Sequence, residues 1–343
     1  MHIDIHNHYI PRNFFCATRQ GREWYGARLE YDDQGEAIII LRGTSMPLRH
    51  SPESLRLLNI SASPEERIQA AKEQEDIDMQ ALNIHAYFWN YHLDAKDGAA
   101  FCREVNEELA ELQASYPKHF VGLAMLPWQD TTAALQEMEY AIKDLGLRAV
   151  CVATNINGRN LDESEFLPVF EAIASQGLFL FCHTAFPVLA QRKRLSRYAF
   201  HNTIGGPVET TLAIMSLIFG GVLDKCPNLK VGFCHGGGFA VSGVDRLTFG
   251  YHNKVNAHTM ERPPADYLGQ LYYGCILHNP DIMKFLVDHI STQHVLMGTD
   301  FPLPDGIVGG TVPWINKMAF LSEEDKNGIL GGNAARLLGI YPS

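Results

Sequence analysis

Eight short apolar runs, separated by amphipathic stretches of helical period, are what most constrain the fold of this chain. The first is IDIH near the start, and the others are ALNIHAYFW (81–89), HFVGLAMLP (119–127), RAVCVATNING (148–158), LFLFCHTAF (178–186), LKVGFCHGGG (229–238), LYYGCILHN (271–279) and HVLMGTDFPL (294–303). Helical patterns lie between them at 64–80, 98–116, 131–146, 164–177, 208–226, near 239–254, at 280–290 and at 323–340. Continuous apolar runs between helices read as parallel strands buried on both faces. Eight such rounds in 343 residues predict an α/β chain folded as one (β/α)8 barrel domain over 1–343. A doubly wound open sheet is the alternative, but it needs a phosphate-binding glycine turn after the first strand, which IDIHNHYIPR lacks. The rhythm breaks at 10–63, a polar, irregular stretch in which DDQGEAIIILRG marks a small hairpin. It is expected to be an insertion lying over the barrel mouth.

Charge and composition narrow the function. Acidic residues outnumber basic ones 39 to 28, a formal charge of −11, which argues against nucleic acid as a partner. No apolar window reaches 18 residues, and the N-terminus lacks the basic and apolar regions of a secretory signal, so neither a membrane span nor export is expected. Seven cysteines, an odd number with no CxxC, sit mostly inside apolar runs. They read as buried free thiols of a cytoplasmic protein. The basic cluster QRKRLSR (191–197) reads as a solvated loop that helps gather an anionic substrate.

Barrel enzymes carry their chemistry at the C-terminal ends of the strands. On that face the runs place His6 and His8, His183, His235, His278 and Asp300. Residues two apart on a strand share a side, so His6 and His8 can share one metal ion. The HxH pair alone is weak, because 15 histidines in 343 residues supply about 0.7 such pairs by chance. His183, His235 and Asp300 each close an apolar run, where an imidazole or carboxylate needs a partner. Taken together, three imidazoles and a carboxylate suit a divalent cation with a position left open for chemistry. The fourth run holds no lysine to bridge two ions after carbamylation, so a single ion is expected.

IDIHNHYIP, FCHTAFP, PVETTLAIMSLIFGGVLDKCPNLKVGFCHGGG, HNP and VLMGTDFPLP together resemble the amidohydrolase superfamily. Within it they resemble the branch of aminocarboxymuconate-semialdehyde decarboxylase and related nonhydrolytic decarboxylases. The resemblance implies that His6, His8, His183 and Asp300 hold one divalent metal ion, zinc with manganese as the alternative, and that no organic cofactor is used. It implies His235 as the acid/base beside the metal, with Asp300 also catalytic. Arg246, 11 residues after His235, corresponds to an arginine that enters a neighbouring subunit's site and binds a substrate carboxylate, which implies a homodimer or higher homo-oligomer. The guanidinium is the right shape for that task. His278 and Phe301 are further substrate-binding candidates. A second carboxylate-binding arginine is expected before the first barrel helix, where Arg42, Arg49 and Arg56 are available. A tryptophan that some members carry near the fifth-strand ligand is absent from HTAFPV. The glycines after His235 are expected to admit substrate close to the backbone. The implied activity is loss of carbon dioxide from a small conjugated or aromatic acid, a carbon–carbon lyase reaction. The same residues would also serve a metal-dependent hydrolase or hydratase.

Overall fold

A computed structural model describes residues 1–41, 48–50, 52–58, 63–185, 192–253 and 259–340. Its centre is a parallel eight-stranded sheet in the order β1 (Ile3–Asp4), β5 (Met79–Leu82), β6 (Phe120–Met125), β7 (Ala149–Ala153), β8 (Phe179–His183), β9 (Lys230–Phe233), β10 (Tyr272–Gly274) and β11 (Val295–Leu296). Every residue of β6, β7 and β8 is buried, as expected of strands covered on both faces. Past the last ladder pairs, the Ile5 N–H donates to Met297 O at 3.1 Å, and the Thr299 and Asp300 N–H groups donate to His6 O. These bonds join the first strand to the eighth and close the barrel.

Helices cover the outside. The longest, Ala95–Ser115, starts where the Asp94 side chain accepts the Asp97 N–H, and buries Phe101, Val105, Leu109 and Leu112 at helical spacing. From the same helix, the Asn106 amide donates to Met125 O and to the buried Glu137 carboxylate and accepts the Met125 N–H, which satisfies the end of β6. Two sequence boundaries move. The second strand is Met79–Leu82, because at His85 the chain leaves the sheet for a short 3-10 turn, Ala86–Phe88. The last helical stretch is three consecutive pieces, Glu323–Asn327, Gly328–Gly332 and Asn333–Leu338.

The 10–63 stretch holds more than a hairpin. It carries the helix Arg12–Arg19, an antiparallel sheet of β2 (Arg28–Tyr31), β3 (Ala37–Ile40) and β4 (Leu48–His50), and the helix Pro52–Leu58. Its described part packs against the 3-10 turn after β5 and against the longest helix, with Phe14 edge-on to Phe88 and Tyr25 edge-on to Phe101. Arg67 ties it down. This fully buried guanidinium donates to Leu57 O at the end of the insertion, to Gln80 Oε1 on β5 and to Asn7 Oδ1 after β1. Among the described residues no helix is long and apolar enough to cross a membrane. All seven cysteines are free, and only Cys16 is exposed.

Arg67→Met keeps the volume of the stem but strands three buried acceptors. We expect a loss of about 3–5 kcal/mol, read as a lower urea midpoint at an unchanged slope. A change under about 1 kcal/mol would show that the insertion is held elsewhere.

Candidate active site

Four buried side chains meet at the C-terminal end of the barrel. His6 and His8 follow β1, His183 ends β8, and Asp300 comes just after β11. Asp300 Oδ1 lies 2.8 Å from His8 Nε2 and 3.1 Å from His6 Nε2, while His183 Nε2 lies 3.0 Å from His6 Nε2. All four donor atoms fall within 4.8 Å of one another. Separations near 3 Å are those of ligand atoms about 2.0–2.2 Å from one common centre. Burial drives the His6 imidazole down to about 4 and His183 well below its ordinary value. Burial alone would raise the Asp300 carboxyl, but His6 and His8 outweigh it and hold it well below the usual range. Neutral imidazoles beside a carboxylate are the state in which these groups bind a cation. His183 Nδ1 lies 3.2 Å from Thr184 O, an arrangement that leaves Nε2 free as a ligand atom. The donor set therefore fits a single divalent ion.

Supporting contacts set these side chains in place. Asp4 Oδ1 accepts the N–H groups of His6 and Thr299, and Asp4 Oδ2 accepts the Thr299 hydroxyl at 2.7 Å. Gly298 packs so tightly on His6 that a Cβ there would stand 2.7 Å from the His6 Cβ.

His235 follows β9 at Cys234, and its ring centroid is 4.9 Å from that of His6 and 5.8 Å from that of His183. Both His235 (φ 50°) and Asp300 (φ 64°) are left-handed, a backbone state that costs a residue with a Cβ about 1–2 kcal/mol. Burial opposes charge on His235, but the adjoining Cys234 sulfur and the Asp300 and Asp305 carboxylates outweigh it, so the ring keeps its proton above the usual imidazole range. The glycines behind it have a packing role in place of the expected substrate approach. A Cβ on Gly238 would stand 2.1 Å from Pro207 O, and none of Gly236, Gly237 and Gly238 lines the cavity.

A cavity of about 630 Å³, counting its open mouth, rises from this cluster. His8, His183, His235 and Asp300 form its floor, with His85, Tyr87, Thr184, His201, Asn202, Leu303 and Asp305 among its walls. Of these wall residues, His85 had a readable signal, since a histidine inside the apolar run NIHAYF needs the same explanation as His183. The rest come from irregular loops with no pattern to mark them.

Four other candidates stand elsewhere. Arg246 is exposed on the helix Val244–Asn253, and His278 is exposed beyond β10. Phe301 is buried beneath the Arg67 guanidinium, 5.2 Å from ring centroid to carbon, and is not among the lining residues. Arg56 is exposed and paired with Glu66. Arg49 lies in β4, opposite Ile38, and Arg42 lies outside the described residues, as do Gln191 and Phe186 of the quoted motifs.

Gly298→Ala forces His6 from its place. We expect metal content, measured by elemental analysis of purified protein, to fall at least about tenfold at limiting metal, with the helical circular dichroism signal retained. Full metal content would show that the contact with Gly298 does not position His6.

A family model described as amidohydrolase matches residues 3–340. A 2-amino-3-carboxymuconate-6-semialdehyde decarboxylase from Dictyostelium discoideum is 31% identical, over 99% of this chain and 92% of its own. The crystal structure of 5-carboxyvanillate decarboxylase LigW from Sphingomonas paucimobilis superposes with a TM-score of 0.83 at 22% identity, covering 99% of both chains. That of a dihydroxybenzoic acid decarboxylase from Polaromonas sp. JS666, with bound manganese and 2-nitroresorcinol, gives 0.80 at 20% identity, covering 100% of this chain and 98% of its own. With a barrel closed through its first and eighth strands and the His6, His8, His183 and Asp300 cluster at its mouth, the chain belongs to the amidohydrolase family, in its branch of nonhydrolytic decarboxylases.

Proposed function

We propose that the cavity binds a small conjugated or aromatic carboxylic acid and releases its carboxylate as carbon dioxide, with one divalent ion held by His6, His8, His183 and Asp300. The observation that carries this reading is the convergence of three imidazoles and a carboxylate within 4.8 Å of one another, with His235 beside them. When bound, the ion supplies positive charge to the substrate carboxylate and to the negative charge that develops on cleavage. Zinc and manganese both suit three nitrogen donors and one oxygen, and the manganese of the dihydroxybenzoic acid decarboxylase supports the second.

The chain's own groups manage the proton. The carbon–carbon bond to the carboxylate breaks, its electron pair stays on the carbon, and that carbon takes up one proton. His235 is the group placed to deliver it, and the conjugated system absorbs charge in the interim, so no oxidant, reductant or organic cofactor is required. The decarboxylase names of the relatives favour this chemistry over hydrolysis on the same residues.

Arg246 completes the site in a second copy of the chain. No arginine or lysine is among the described residues that line the cavity, although a carboxylate is to be held there. Arg246 stands exposed on a stretch that also exposes Phe239 and Phe249, apolar surface of the kind another subunit covers. In the assembly its guanidinium holds the outer oxygen of the substrate carboxylate in the neighbouring cavity.

Purified protein is expected to carry one metal ion per chain, and His235→Ala to keep it while kcat for carbon dioxide release falls about 10²–10⁴-fold. Two ions per chain, or near-normal turnover in the variant, would contradict these assignments. Arg246→Ala and His235→Ala chains, each nearly inactive, should regain activity when mixed, because one site of the mixed dimer combines an intact His235 with an intact Arg246. No recovery despite demonstrated subunit exchange would remove Arg246 from the neighbour's site.

A further inference from the structure

The cavity has two chemically different ends. Its floor gathers the groups that would hold a cation and a carboxylate. Its rim carries a second carboxylate, Asp305, five residues after Asp300 on the loop that follows β11. Asn202, from the short π-helical segment His201–Gly205, donates its amide N–H to Asp305 Oδ2 at 2.9 Å. The two loops thus meet across the mouth, and both residues line the cavity.

The direction of that hydrogen bond decides what the rim can recognise. It uses an Asn202 donor and one Asp305 oxygen. The oxygen of the Asn202 amide and the remaining oxygen of Asp305 are both acceptors. Tyr87, on the same cavity, keeps its phenol protonated above the ordinary range, through burial first and then the charge of Asp305. Asp305 itself is exposed at the mouth and lines the same cavity. Among the described lining residues only histidines could carry positive charge, and His201 is the one at the rim.

We infer that Asn202 and Asp305 form a specificity subsite that selects a hydrogen-bond-donating substituent, a hydroxyl or amino group, at the end of the substrate remote from the carboxylate to be lost. This rests on the reading of the cavity as a decarboxylase site and refines its substrate class. A donor group there bridges the amide oxygen and the carboxylate. A second carboxylate would face the Asp305 charge, and an ether oxygen carries no proton for the Asp305 carboxylate or the Asn202 amide oxygen, so both are disfavoured. The accepted acids are monocarboxylates bearing a remote hydroxyl or amino group. The reaction that supplies them must leave such a group in place, as a ring hydroxylation or an amine-forming step does.

The test uses the metal-loaded full chain and a matched set of benzoates and hexadienoates. Their remote substituent is hydroxyl, amino, methoxy or carboxylate. Carbon dioxide release and calorimetric binding are both measured for wild type, Asp305→Leu and Asp305→Asn. For wild type, donor-bearing acids should bind and react at least about 10-fold better than their methoxy partners. In Asp305→Leu that ratio should collapse toward 1, and in Asp305→Asn the dicarboxylates should gain affinity relative to the hydroxy acids. If carbon dioxide is released but the ratios are the same in all three proteins, the subsite is refuted and the decarboxylase reading stands. Wild-type preference for the dicarboxylates would refute it as well, and would assign the rim to His201 as a carboxylate binder. If no acid loses carbon dioxide yet binding preference follows Asp305, the subsite stands and the decarboxylase reading fails.

Discussion

The carboxylate of Asp4 is the point at which the first and eighth strands are locked together. It accepts hydrogen bonds from the backbone of His6 and from the backbone and hydroxyl of Thr299, while His6 O accepts from Thr299 and Asp300. Two of the four metal-binding candidates, His6 and Asp300, are therefore held by the same few bonds that close the barrel. Burial pushes the Asp4 carboxyl up to about 7, with the Thr299 hydroxyl opposing most strongly. A carboxyl group is retained in so unfavourable a place because closure and ligand alignment are one structural event there.

Much of what surrounds Asp4 is polar and buried, which runs against stability taken alone. Beneath the site Arg67 donates to both Asn7 and Gln80, Asn7 in turn donates to Asp4 O, and Arg67 also covers Phe301. The network joins the docked insertion to the strand ends that carry the cluster. Loss of any one member leaves the others without water to replace it, so the support is cooperative. A cation bound by His6, His8, His183 and Asp300 adds its binding free energy to the folded state alone.

The cavity divides its labour between rigid and variable parts. The floor stands at the ends of β1, β8, β9 and β11, whose positions follow from barrel packing. The rim stands on loops, where Asn202 and Asp305 can change without disturbing a strand. On one barrel, the bond to be broken is thus set by the strands and the acid to be accepted by the loops.

The alternation of apolar runs and helical stretches was enough to establish the barrel, because strands buried on both faces have no other way to write their surroundings in sequence. The same logic found the floor. His183, His235 and Asp300 each end an apolar run, and a polar group in such a place demands a partner. It also should have found His85, whose place within NIHAYF carries the same signal. Nothing in the sequence announced Asn202, His201 or Asp305, which lie in irregular segments 100 or so residues apart, and only the packing of two loops brings Asn202 to Asp305. The role of the glycines after His235 was likewise hidden, since a collision with Pro207 O exists only once β9 and the helix Gly206–Phe219 are side by side. Periodicity records which side of an element is buried. It does not record what a loop residue will face, because that depends on where distant parts of the chain arrive in space.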